Sequence, residues 1–96
     1  MRVEYTKRAT DDLRKVSRES RAFGNNVAAA VEARIREIIA RISERPEAAA
    51  WIVERLGMYV VALIRYPYKI FYRVLKDRIR VLRIRHSSRR PWTRDR

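Results

Sequence analysis

The sequence predicts an α+β domain in the order β-α-α-β-β-β, with an N-terminal helical hairpin packed on a mainly antiparallel four-stranded sheet. Three observations carry this. Apolar residues recur at helical spacing in the first half of the chain, and β-branched and aromatic runs fill residues 58–86. Turn-forming punctuation falls between the runs: Gly24-Asn25-Asn26, Pro46, Tyr66-Pro67 and Lys76-Asp77. A length of 96 residues allows one domain over 1–96, with 87–96 a polar, basic tail.

Arg2 to Tyr5 reads as a short strand with Val3 and Tyr5 on one face. Thr6 is a suitable N-cap for the helix that follows. Ala9, Leu13 and Val16 form its apolar stripe, and it ends near Arg21. Asp11 and Asp12 sit in its early turns, where the helix dipole favours carboxylates. A second helix runs from about Val27 to Ser43, with Val27, Val31, Ile35, Ile38 and Ile42 on one face and Ile39 alongside. Residues 47–56 read as neither helix nor strand with any clarity. Met58–Arg65 is dense in strand-forming residues, and Pro67 breaks it. Tyr68–Val74 alternates, with Tyr68, Ile70, Tyr72 and Val74 opposite Lys69, Phe71 and Arg73. Arg78–His86 is the last strand, and its alternation slips at Val81-Leu82, which predicts a bulge there or burial of both faces.

The chain carries 24 Lys+Arg against 11 Asp+Glu, a net charge of +13, and 20 of the cations are arginine. The charge is uneven: residues 1–50 hold 11 cations and 8 acids, a net +3, while residues 51–96 hold 13 and 3, a net +10. A positive field of that kind suits a phosphate or carboxylate partner. With no cysteine and only one histidine, neither a disulfide nor a Cys- or His-rich metal site is expected. No cofactor is implied. No apolar run approaches a membrane span, and Met1 to Thr10 lacks the hydrophobic stretch of a signal peptide, so a cytoplasmic protein is expected.

Two features could carry chemistry. Lys69, Arg73, Arg83, Arg85, Arg89 and Arg90 lie among Tyr66, Tyr68, Tyr72 and Trp92, a pattern that fits a polyanion whose phosphates need neutralising. A solvated basic sheet face, or a dock for an acidic protein segment, fits the same residues. His86 ends the last strand among arginines and is either a general base or a ring packed at the sheet edge. Ser87 and Ser88 adjoin it, but no Gly-x-Ser-x-Gly elbow or Gly-rich phosphate loop is present. Metal-free cleavage of RNA stays chemically open, because the RNA supplies its own 2′-hydroxyl as nucleophile.

The opening MRVEYTKRATDDL and, above all, YPYKIFYRV and DRIRVLRIRHSSRRPW resemble the RelE/ParE superfamily of bacterial type II toxins, closer to the ParE branch. The resemblance implies a cognate antitoxin, expected to be of the ribbon-helix-helix type with an acidic C-terminal segment, in a hetero-oligomeric complex. It implies one of two targets: DNA gyrase, blocked without catalysis, or the ribosome and its mRNA, which RelE-like members cut. The strand YVVALIR lacks the lysine pair of RelE-like nucleases. If the chain were RelE-like, His86, Lys69, Arg85 and Arg89 would carry catalysis. Target or nucleic-acid contacts fall to Arg65, Arg73, Arg83, Arg90, Tyr68 and Trp92. The antitoxin is expected on Leu13, Val16, Val31 and Ile35 of the helical groove, and on Arg83 and Arg85.

Overall fold

A computed structural model of the chain describes residues 1–46, 51–53 and 58–87. The elements are β1 (Arg2–Tyr5), α1 (Lys7–Arg21), α2 (Asn25–Glu44), β2 (Trp51–Val53), β3 (Met58–Ala62), β4 (Tyr68–Val74) and β5 (Arg78–His86). They form the expected hairpin and sheet, with one addition: β2 extends the sheet from within the unassigned stretch. The sheet order is β1-β5-β4-β3-β2, so the last strand of the chain lies next to the first. The β1/β5 pair is parallel and the other pairs are antiparallel.

The local chemistry explains the element ends. Thr6 caps α1 by accepting the Ala9 N–H at 3.0 Å, and its hydroxyl also donates to the Leu82 carbonyl. Asp11 and Asp12 lie beyond the first turn, which contains no acid, so capping rests on Thr6 rather than on a dipole–carboxylate pairing. Asp11 pairs with Arg14 instead, and Asp12 reaches β5. The interhelical turn needs Gly24, whose φ of +117° is a conformation closed to ordinary L-residues. Ser17 donates to Glu32 at 2.6 Å and ties the two helices together. β3 stops at Ala62, short of the Arg65 that composition suggested. Leu63 N–H instead closes on the Tyr68 carbonyl, and Pro67 offers no N–H for a ladder.

The hairpin lies on one face of the sheet. Ala9 and Val16 from α1 and Val31, Ile35, Ile38 and Ile42 from α2 meet Ile70, Tyr72, Ile79, Val81 and Ile84 in a continuous core. Full burial of one such aliphatic side chain contributes about 1.5–3 kcal/mol, so this stripe is what holds the helices to the sheet. The Tyr72 hydroxyl donates to the Pro46 carbonyl at 2.7 Å, and its ring stacks on Tyr59 with centroids 5.2 Å apart. Burial pushes the Tyr72 phenol up to about 12.

The slip in alternation at Val81-Leu82 is a β-bulge. Val81 pairs with Tyr72 and Arg83 with Phe71, which leaves Leu82 as the extra residue. It restores the alternation so that Ile79 and Val81 before the bulge, and Ile84 after it, all enter the core. No helix among the described residues is long and apolar enough to cross a membrane.

Candidate functional site

The pleat sends alternate side chains to opposite faces, so the core positions fix where the cations go. Ile70, Tyr72, Ile79, Val81 and Ile84 face the hairpin. Lys69 and Arg73 of β4, and Arg78, Arg80 and Arg85 of β5, therefore project from the other face. The register sets these cations against each other: Lys69 opposite Arg85, and Arg73 opposite Arg80. Like charges directly across a ladder are destabilising. Lys69 is exposed and the three arginines are half-buried. Between them Phe71 is only 8% exposed.

Among the described residues, one acid of the strands sits inside this field. Glu4 of β1 pairs in register with Arg80 and accepts a short hydrogen bond from its Nε. Arg78 Nε stands 3.1 Å from the other carboxylate oxygen, an ionic approach without hydrogen-bond geometry, and its Nη1 donates to Asp77 at 3.0 Å. The Arg80 hydrogen bond outweighs desolvation and holds the Glu4 carboxyl below its usual value. Neither this network nor Asp12 stood out in the sequence. Their partners come from strands or helices some 70 residues away, and no local pattern announces them.

His86 projects the other way. It is the register partner of Tyr68, and the two rings meet edge-to-face at 5.5 Å on the core side of the sheet. Of the four residues proposed for catalysis, Lys69 and Arg85 thus stand side by side, while His86 is on the opposite face. Arg89 lies outside the described residues, as do Arg90 and Trp92. Arg65 is exposed in the loop between β3 and β4. Tyr68 is buried in the core, which removes it as a stacking surface for a target.

Arg83 is drawn into the fold as well. Its Nε and Nη2 donate to Asp12 Oδ2 and Oδ1 at 2.8 and 3.2 Å, and Asp12 also accepts the Ile84 N–H at 2.9 Å. The reason is topological. β1 ends at Tyr5, so beyond Val81 the outer edge of β5 has no strand to pair with. Thr6, the N-cap of α1, and Asp12 within that helix supply the missing bonds. Arg83 is thus anchored to Asp12, with its side chain 18% exposed. Val16, Val31 and Ile35, expected in an antitoxin groove, are 2%, 2% and 1% exposed and belong to the core. Leu13 and Arg85 keep accessible surface. Among the described residues no cluster of His, Cys, Asp or Glu could hold a metal ion.

A small mixed sheet covered on one face by a helical hairpin, with cations crowded on the other, defines a compact α+β class of domain. The chain matches the family described as ParE toxin of type II toxin-antitoxin system, parDE, over residues 3–91, and it belongs to that family. Among solved structures it is similar to a chain titled "Chromosomal ParDE TA system from P. aeruginosa". The TM-score is 0.78 and the identity 24%, with 90% of this chain and 95% of that chain covered. No curated protein sequence matches the chain. It is therefore a type II toxin with an antitoxin as its partner in a complex.

Proposed function

We propose that the protein arrests bacterial growth by inhibiting DNA gyrase, in the cytoplasm, and is neutralised by its cognate antitoxin. The observation that carries this reading is the division of the cationic residues from His86. A metal-free nuclease needs an acid or base beside the cations that hold the scissile phosphate. Here Lys69 and Arg85 occupy one face while His86 packs on Tyr68 at the other. Membership of the ParE family supports the same target. The antitoxin is of the ribbon-helix-helix type, with an acidic C-terminal segment suited to the +13 charge of the toxin.

The test is a supercoiling assay with purified gyrase and relaxed plasmid. Stoichiometric toxin should block supercoiling, and adding the antitoxin should restore it. Undiminished supercoiling at a tenfold molar excess of folded toxin would end the gyrase reading. His86→Ala should retain growth arrest. If that variant is harmless while still folded, and wild-type expression yields codon-positioned mRNA cuts, the ribosome-dependent nuclease takes its place.

A further inference from the structure

The two helices sort their charges differently. α2 is balanced, with Arg34, Arg36 and Arg41 against Glu32, Glu37 and Glu44. α1 holds Lys7, Arg8, Arg14, Lys15, Arg18 and Arg21 against Asp11, Asp12 and Glu19. At 3.6 residues per turn, the six cations fall within roughly 140° of the helix surface, opposite the buried Ala9, Val16 and Ser20. All six are exposed. Asp12 is turned away to Arg83, and Glu19 is half-buried beside the arc with an interaction of its own. Asp11 is the acid of α1 that shares the arc. Its pair with Arg14 is open to water, with the side chains 54% and 70% exposed, and is therefore weak. Among the described residues no acid pairs with Lys7, Arg8, Lys15, Arg18 or Arg21.

This arrangement works against the helix. Lys7 and Arg8 stand in the first turn, where the dipole favours acids and none is present. Arg14 and Arg18 are like charges at i, i+4, and Lys15/Arg18 and Arg18/Arg21 are like charges at i, i+3. Arg18 and Arg21 complement the dipole of the last turn, but the other four cations do not. A polyanion laid along the arc turns this repulsion into attraction.

We infer that the solvent face of α1 docks in the major groove of duplex DNA, on the phosphate backbone and without regard to base sequence. Shape is the first reason. An α-helix with its side chains is about 10–12 Å across and the B-DNA major groove about 12 Å wide, whereas the deep, narrow groove of A-form RNA does not admit it. Placement is the second. Lys7, Arg14 and Arg21 line one edge of the arc, Arg8 and Lys15 the other, and Arg18 lies between. A helix seated in the groove thus presents a row of cations to each phosphate ridge, at steps of roughly 10.5 Å along its axis. The third reason is the absence of apolar side chains. Phe23 is 80% exposed, but it follows the end of α1 and falls on the side of Asp12 and Glu19, off the arc. Single strands are held largely by stacking on aromatics, and protein partners by apolar anchors. A membrane surface takes up an apolar helix face, which α1 buries in the core.

The inference is independent of the gyrase reading, because DNA binding and inhibition of supercoiling are measured separately and either can fail alone. The test titrates full-length toxin into a fluorescein-labelled duplex of about 20 base pairs, between about 50 and 200 mM salt, and follows anisotropy. With about five phosphates neutralised, log K should fall against log salt with a slope of about −4.5. Lys15→Gln/Arg18→Gln should reduce that slope by about 1.8 and weaken binding at least tenfold; Lys7→Gln/Arg8→Gln repeats the measurement at the other end of the arc. Both variants should remain folded by circular dichroism, since the side chains are exposed. Arg41→Gln/Lys76→Gln, on α2 and in the β4–β5 turn, removes the same charge and should leave the slope unchanged. An unchanged slope in both arc variants would overturn the assignment. An equal loss in the α2 and turn variant would do the same, because it marks an effect of overall charge. So would tighter binding of a single strand or an RNA duplex of the same sequence, or displacement of the DNA by poly-glutamate at equal charge.

Discussion

Replacing Asp12 by alanine should destabilise this protein more than any other single change at a charged residue. Asp12 and Arg83 are 12% and 18% exposed, and the carboxylate takes two bonds from the guanidinium and a third from the Ile84 N–H. Removing one member of a largely desolvated pair costs about 3–5 kcal/mol, because the other charge stays behind uncompensated. The stranded Ile84 N–H falls within that figure, at about 1–3 kcal/mol if it were counted alone. Against a total stability of roughly 5–15 kcal/mol for a domain, this is a large fraction. The melting temperature should fall by roughly 12 °C or more, at about 4–8 °C per kcal/mol for a domain of this size. Urea unfolding followed by circular dichroism measures the change as a lower midpoint at constant slope. Asp12→Asn keeps an acceptor for Ile84 and should lose less. Arg83→Met alone should cost less than Asp12→Ala, and in the double variant the two costs should fall short of their sum by at least about 1 kcal/mol. A cost below about 1 kcal/mol for Asp12→Ala, or strict additivity in the cycle, would refute the view that this pair anchors α1 to β5.

Three further outcomes are expected. Glu4 is held below its ordinary value of 4.5, chiefly by the Arg80 hydrogen bond, so the unfolded chain takes up that proton first as the pH falls. Its stabilisation is complete above that value and disappears as the pH drops through the lower folded one; urea midpoints of Glu4→Gln should decline less steeply than wild type below pH 4.5. Tyr72 is the reverse case. Burial favours its neutral form, so its stabilisation holds below pH 10.0 and is lost as the pH rises towards about 12. Tyr72→Phe should lose about 1 kcal/mol at neutral pH, from the bond to Pro46, and show a shallower alkaline decline; equal declines would contradict the assignment. Gly24→Ala should cost about 1–3 kcal/mol through its backbone angle alone. A Cβ there meets no atom within 4 Å, so a neutral substitution would mean that the turn readjusts freely.

Much of the fold was legible in the sequence because its signals are local. The Thr6 cap, the Val31-Ile35-Ile38-Ile42 stripe and the alternation in β4 each depend on neighbours within a turn or a pleat. Even the slip in β5 was visible, because a shift of one residue reverses which side chains are apolar, but the choice between a bulge and burial of both faces came from the strand register. The strand at Trp51–Val53 was not, since a three-residue edge strand has too few positions to show a period. The candidate site was legible only as a set of cations. Their list came from composition, but their division between faces did not.

The sequence by itself determined the elements, the core stripes, the family resemblance and the concentration of positive charge in the second half. The tertiary structure decided which of those charges are available. Pairing β5 with β1 in parallel drew Arg80 and Arg78 to Glu4, and the early end of β1 drew Arg83 to Asp12. The register of β4 on β5 then set Lys69 against Arg85 and turned His86 away from both. These are pairings between residues far apart in the chain. A periodicity can place a side chain on a face, but only closure of the fold brings two such faces, and their charges, within bonding distance.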